Sequence, residues 1–310
     1  MQHSTRASGM REVAVRPDAD VSPGAAQAVG RTAASLAWRR FRRHRGAQVG
    51  LGVVLLFALL AVFAPLVAPY SPTDAALEQR LTPPSRHHWL GMDQQGRDLL
   101  SRIIYGGRIS LIIGVIAVGV AGSIGLPIGA ISGYRGGWLG HVLMAAIDVL
   151  LSFPAILIAI VIVALVGPGI RNAMIAIGIA QMPAYARLMR AEVVRLRSEV
   201  FVEAARAIGL PEWRILVRHV FPNAAGPLIV QSTLNLAGAI LSAAYLGFLG
   251  LGAQPPAPEW GAMLSDGRTY LRTAPHVAIY PGFAVMLVVL GFNLFGDGLR
   301  DALDPRATQR

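Results

Sequence analysis

His87 and His88, with Asp93 shortly after them, are the one grouping whose side-chain types could hold a metal ion. Adjacent residues point in different directions in any regular element, so a single ion is poorly served by both, and a polar loop accounts for them. The other His residues, at 3, 44, 141, 219 and 276, are scattered. Nucleophilic chemistry is no better supplied. The 310 residues contain no Cys, which removes disulfides, thiolate metal sites, iron–sulfur clusters and thiol nucleophiles together. They contain no Lys either: all 28 basic residues are Arg, which excludes a Schiff-base enzyme and any Walker A phosphate loop, whose GxxxxGK[ST] needs its Lys. A GxSxG nucleophile turn is also absent. If ATP drives this protein, another chain binds it.

The stretch with a purposeful pattern is 187–223, RLMRAEVVRLRSEVFVEAARAIGLPEWRILVRHVFPN. Its Ala, Arg, Leu and Glu predict a helix over 187–208. Gly209 stands where a left-handed C-cap is wanted, and Pro211 falls near the first turn of a second helix, where its missing N–H costs little. That second helix runs to about Val220, with Trp213, Leu216, Val217 and Val220 at helical spacing, and Pro222 marks the next break. Ala204, Ala205 and Ala207 put small side chains at the corner, which lets another surface approach closely. A bare linker does not need two capped helices; an elbow built for contact does.

The elements that must carry this elbow are apolar. The chain is 54% hydrophobic and 15% charged, with a mean hydropathy of +0.52, against roughly 25% charged for a soluble domain. Residues 1–30 have no apolar period and read as a disordered tail. Residues 31–46 set Leu36, Trp38 and Phe41 among Arg39, Arg40, Arg42, Arg43 and Arg45, which suits a basic helix lying in a membrane interface or a plain positive stop before a span. A transmembrane domain then covers 47–306. Its spans are expected at about 50–68, 109–132, 139–166, 172–191, 224–250 and 276–296, making six with five as the rival count; Asp148 and Pro154 break the span at 139–166 and Pro183 the one at 172–191. With six spans and an inner N-terminus, the cytoplasmic segments hold 20 of the 28 Arg and the outer ones seven. Both termini and the elbow are then cytoplasmic, with 70–107 outside. The net charge of +11 is thereby topological, and no nucleic-acid partner is expected. Asp148 is the one acid inside the spans, so an ion-driven relay is lacking. A passive channel, a secondary carrier and a membrane-anchored hydrolase are the rival classes.

At this point four motifs resemble one family. Glu203-Ala204-Ala205-x-x-x-Gly209, with Pro222 thirteen residues after the glycine, is similar to the EAA loop of membrane subunits of bacterial ABC importers. His219-Val220-Phe221-Pro222 departs from the family's Ile-x-Leu-Pro ending, while Arg218-His219 followed by Pro222-Asn223 resembles the dipeptide/oligopeptide/nickel branch. His88-Trp89-Leu90-Gly91-Met92-Asp93 leading to Gly96-Arg97-Asp98, Phe248 to Gly252 with Pro255 to Gly261, and Asn293 to Pro305 resemble three further signatures of that branch, with Met92 where Thr is usual. The resemblance implies an all-α membrane protein with the type I importer permease fold, in the bacterial inner membrane. It also implies that Glu203, Ala204, Ala205, Gly209, Leu210, Pro211 and Pro222 seat on an ATPase subunit. The implied partners are a homologous second permease subunit, two ATPase subunits carrying ATP and Mg, an extracytoplasmic substrate-binding protein, and lipid. No cofactor or metal is implied in this chain and it is not itself an enzyme. The implied cargo is a dipeptide or oligopeptide, with nickel chelate, glutathione or haem as alternatives. Ser232, Asn235 and Gln231 are the polar groups expected along the pathway.

Overall fold

The computed structural model describes residues 38–303; the expected tail over 1–30, residues 31–37 of the basic segment and the end of 47–306 lie outside the described residues. Residues 38–41 form one helical turn whose Phe41 is buried edge-on against Phe295, with ring centroids 5.8 Å apart, while Trp38 stays exposed. Helix α1 (Arg45–Val62) starts on His44, whose Nδ1 accepts from Ala47 N at 3.0 Å, and α2 (Ala64–Val67) adds one more turn. The segment that follows, up to α3, has little regular structure beyond a short 3₁₀ turn at Leu77–Gln79.

Helix α3 (Leu99–Arg135) is 37 residues long and is capped by Asp98, whose carboxylate accepts from Ser101 N. Next come α4 (Gly137–Leu151), α5 (Ala155–Val166) and α6 (Ile170–Leu196). The expected span at 139–166 is these two helices, bent by 89° at Ser152–Pro154. Pro154 causes the break, since it occupies the N-cap of α5 and has no N–H to continue α4. Asp148 does not break anything; it sits within α4 and pairs with Arg187 of α6 at 2.6 Å.

The α3–α6 pair forms the centre of the bundle. Gly125, Gly129 and Gly133 recur every four residues on α3 and press directly on the α6 backbone, with ideal Cβ positions only 2.6 Å from Met182 O and 2.9 Å from Arg190 O at the two ends. Between lipid-like surfaces the hydrophobic effect gives no drive for association, so such close backbone packing supplies it. After α6 the chain makes α7 (Val200–Ala207) and α8 (Glu212–Ile215), then one π turn (Leu216–Val220) that leads unbroken into α9 (Phe221–Phe248). Helix α10 (Trp260–Gly267) is short, and α11 (His276–Leu303) returns against α1. Trp260 is fully buried: its Nε1 donates to Ile103 O at 3.0 Å and its ring meets Phe57 edge-on, so α10 is pinned to α3 and α1.

Among the described residues, four helical stretches are long and apolar enough to cross a membrane, or five if the bent α4–α5 pair is one span. The remaining expected span, the fourth at 172–191, corresponds to α6. Its Arg171, Asn172, Gln181, Arg187 and Arg190 keep it below the hydropathy of the others. Arg171 and Arg187 reach the surface, where Arg187 pairs with Asp148, while the helix packs on α3, α5 and α9.

Candidate functional site

The elbow begins with a break that the sequence does not announce. Helix α6 stops at Leu196, Arg197 and Ser198 turn, and α7 restarts at Val200, so the expected single helix over 187–208 is two helices. The turn lets Val202 and Ala205 swing back onto Met189, Val193 and Leu196, with Ile215, Val220 and Tyr134 completing one buried cluster.

The end of α7 explains why this sequence pattern makes a corner. Gly209 has φ +78°, a left-handed conformation in which a Cβ is strained. Its N–H donates to Arg206 O at 2.9 Å and the next N–H, of Leu210, donates to Ala205 O at 3.2 Å, which is the complete Schellman cap. Leu210 packs onto the same cluster, giving the hydrophobic contact that accompanies such caps. Pro211 then takes the N-cap of α8 at φ −66°, slightly earlier than the first-turn position expected. Pro222 does not end the second helix, as the sequence suggests it should. It lies in the first turn of α9 immediately after the π turn, whose wider ring absorbs the missing donor, and Asn223 Nδ2 donates to His219 O at 2.6 Å beside it.

Of the expected contact residues, Glu203, Ala204, Gly209, Pro211 and Pro222 are exposed, Leu210 is half-buried and Ala205 is buried, so Ala205 holds the corner together rather than presenting a surface. What does present a surface was missed: Val200, Ile208, Trp213 and Val217 are each more than 60% exposed on a polar loop. All four lie within nine residues of Gly209 in sequence, and apolar side chains so placed on a charged segment are the signal that could have found them. Beside them Ile131, Tyr134, Arg135, Glu212, Trp213 and Leu216 line a cleft of about 420 Å³, with the Arg206 guanidinium 5.5 Å over the Tyr134 ring.

Two polar assemblies lie elsewhere. Midway along α6 and α9, Gln181 Nε2 donates to Asn235 O at 3.3 Å and Tyr185 OH donates to Ser232 Oγ at 3.0 Å, while Gln231 Nε2 reaches Asn235 Oδ1 at 3.0 Å. The three expected pathway residues are thus brought together, and Gln181 and Tyr185, four apart on α6, join them. At the opposite end from the elbow, Asp93 accepts from Arg97 Nε at 2.6 Å, and Arg102 Nε lies 3.3 Å from the same oxygen. Both guanidiniums are 3% exposed. His88 does not gather with Asp93; its Nδ1 sits 2.9 Å from Asp98, the cap of α3, and no trio of His, Asp or Glu stands at metal spacing among the described residues. Glu259, 1% exposed, caps α10 by accepting from Gly261 N and Ala262 N, both at 2.8 Å. Burial pushes its carboxyl above the usual carboxylate range and the two N–H bonds oppose that.

Residues 125–309 match the family described as binding-protein-dependent transport system inner membrane component, and residues 32–84 match the N-terminal TM domain of oligopeptide transport permease C. The chain is 49% identical over 270 residues to the dipeptide transport system permease protein DppC of Alkalihalophilus pseudofirmus, covering 87% of this chain and 89% of that one. It is 47% identical over 270 residues to the glutathione transport system permease protein GsiD of Escherichia coli O6:K15:H31, with the same coverage, and 46% identical over 271 residues to GsiD of Pectobacterium atrosepticum, covering 87% and 90%. Among solved structures, the inward-facing MetNI methionine ABC transporter superposes with a TM-score of 0.55 at 19% identity, over 66% of this chain and 98% of that one, a likeness of fold. The all-helical bundle, its apolar spans and these matches together place the chain in the binding-protein-dependent transport system inner membrane component family, as a permease subunit of an ABC importer.

Proposed function

We propose that this chain is one of two homologous membrane subunits of a peptide importer, that two ATPase subunits seat on its elbow and on that of its partner, and that an extracytoplasmic binding protein delivers the cargo. The observation that carries the coupling role is the Schellman-capped corner at Gly209, with Val200, Ile208, Trp213 and Val217 exposed on the segments that lead into and out of it. Apolar side chains exposed on a charged loop mark a surface meant to be covered. A chain with no phosphate loop needs work delivered through a stiff contact, and the buried cluster under the corner makes it stiff. Closure of the ATPases moves the elbow, and the bundle is rebiased between inward- and outward-open states. The positive-inside count supports a cytoplasmic elbow and cytoplasmic termini, with 70–107 on the outer face.

Peptide cargo is favoured by the 49% identity to a dipeptide permease and by the amide-rich group Gln181, Gln231 and Asn235 at mid-span, which matches the donors and acceptors of a peptide backbone. Glutathione, itself a tripeptide, is the second reading, on the 47% identity to GsiD. Uptake of a labelled dipeptide and of glutathione into vesicles, with and without the ATPase chains, tests both. Dipeptide uptake that needs ATP and the ATPase chains is the expected result; uptake independent of them would overturn the coupling role.

A further inference from the structure

The cavity at the outer end of the bundle is built unlike a simple structural ion pair. It measures about 200 Å³ and is lined by Arg97, Arg102, Gln95, Gln254, Ser265 and Asp266, among others. It lies where the outer segment meets the C-terminal end of α9 and helix α10. Two guanidiniums share one well-placed carboxylate there. Arg97 spends its Nε on Asp93, and the next acid, Asp266, is 4.0 Å from its Nη2, too far for a hydrogen bond. Arg102 spends Nη1 on Pro72 O at 3.0 Å, and its Nε faces Asp93 without an aligned hydrogen bond. The nearby Glu259 carboxyl is occupied by the two backbone N–H groups of α10. Buried guanidiniums hold five donors each in a fixed fork, and donors left without partners in a confined space favour a planar, doubly accepting anion.

We propose that this cavity receives a carboxylate, and specifically the terminal α-carboxylate of a peptide entering from outside, so that Arg97 and Arg102 orient the cargo at the mouth of the pathway. The volume is too small for a whole peptide and suits one end of it. Glutamine side chains Gln95 and Gln254 at the wall would meet the first amide. This rests on the outer placement of 70–107 and on the peptide reading above.

The absence of native Cys makes a direct test available. Ser265→Cys and, separately, Gln95→Cys are introduced into the assembled importer. Each is then reacted with a sulfonate-bearing and a trimethylammonium-bearing methanethiosulfonate, with rates normalised to a free thiol. In detergent, the anionic reagent should react about tenfold faster than the cationic one at either position. Millimolar glycylglycine should slow that reaction, while glycylglycinamide should not. Equal rates for the two reagents, failure of both to react, or equal protection by the amide overturns the proposal. Protection by acetate as strong as that by glycylglycine marks a small-anion site and also overturns it. Protection given only by the delivering protein without peptide assigns the cavity to an acidic side chain of that protein, and overturns it too. Repeating the labelling in sealed vesicles separates the two claims. Reaction only from the cytoplasmic side refutes the outer placement, whereas the detergent pattern speaks to the cavity itself.

Discussion

At Gly209 two costs can be told apart. The φ of +78° makes any Cβ unfavourable by about 1 kcal/mol and a β-branched one by more, yet no heavy atom lies within 4 Å of an ideal Cβ there. Gly209→Val should therefore leave the subunit folded and inserted but lose uptake and ATPase co-purification if the corner seats on the ATPase as proposed, because the added bulk would stand on that face. Wild-type uptake at matched membrane levels would remove the coupling role of the corner. Glu203, exposed on α7, should respond less: Glu203→Ala is expected to cost about 0–1 kcal/mol of docking, since exposed charges are worth little, and uptake assays on both variants compare them. Glu259 behaves differently because burial raises its pKa. A carboxyl whose folded pKa exceeds its unfolded one contributes stability at low pH that is lost as pH rises through the folded value. Thermal unfolding of the purified importer should thus show a melting temperature that declines from about pH 4.5 upward. Glu259→Gln should flatten that slope while costing about 1 kcal/mol, because its amide N–H₂ can no longer accept from both α10 donors. An unchanged slope would show that other groups set it.

Helix packing carries the next set of consequences. At Gly129 an added Cβ would overlap Ala186 O, and α3 cannot retreat without parting from α6 along its whole glycine face. Gly129→Leu is expected to cost about 3 kcal/mol or more and to lower the yield of assembled subunit sharply. Gly119→Leu, where nothing lies within 4 Å, should be tolerated; comparable yields for the two would refute the role given to the stripe. Elements with local signals were legible from sequence: Gly209 and Pro211 located the corner, and Pro154 located the bend between α4 and α5. The break at Arg197–Glu199 was not, because Arg, Ser and Glu are acceptable inside a helix and the turn exists only so that Val202 and Ala205 can reach Val193. The π turn before Pro222 carries no compositional mark either. The burial of Arg97 and Arg102 is not legible in sequence, since it depends on contacts with Asp93 and α10 that no spacing reveals. The apolar residues of α6 are visible in sequence as a span, whereas the helices packed on it are not.

For the molecule as a whole, topology is the most accessible claim. Single Cys residues in place of Arg206 and Gln79 should react with an impermeant thiol reagent from opposite sides, Gln79→Cys from outside and Arg206→Cys only after permeabilisation. The reverse pattern would invert the orientation. Residues 125–309, which match the inner membrane component family, contain α4 to α11, so the elbow and its following span belong to the shared family region, whereas the segment 70–107 precedes it. The arrangement of that span has a mechanical implication. From Glu212 to Phe248 the chain is one helical rod of 37 residues, roughly 55 Å long, so a tilt of about 5° at the elbow sweeps the far end by roughly 5 Å. The π turn at Leu216–Val220 adds a second kind of output. It stores one surplus residue in the helical register, and relaxing it to an α turn would swing every side chain beyond it by about 100° around the axis. Gln231, Ser232 and Asn235 lie beyond it, so a single hydrogen-bond slip at the elbow end would rotate the amide face at mid-helix while lengthening the rod by only about 1.5 Å.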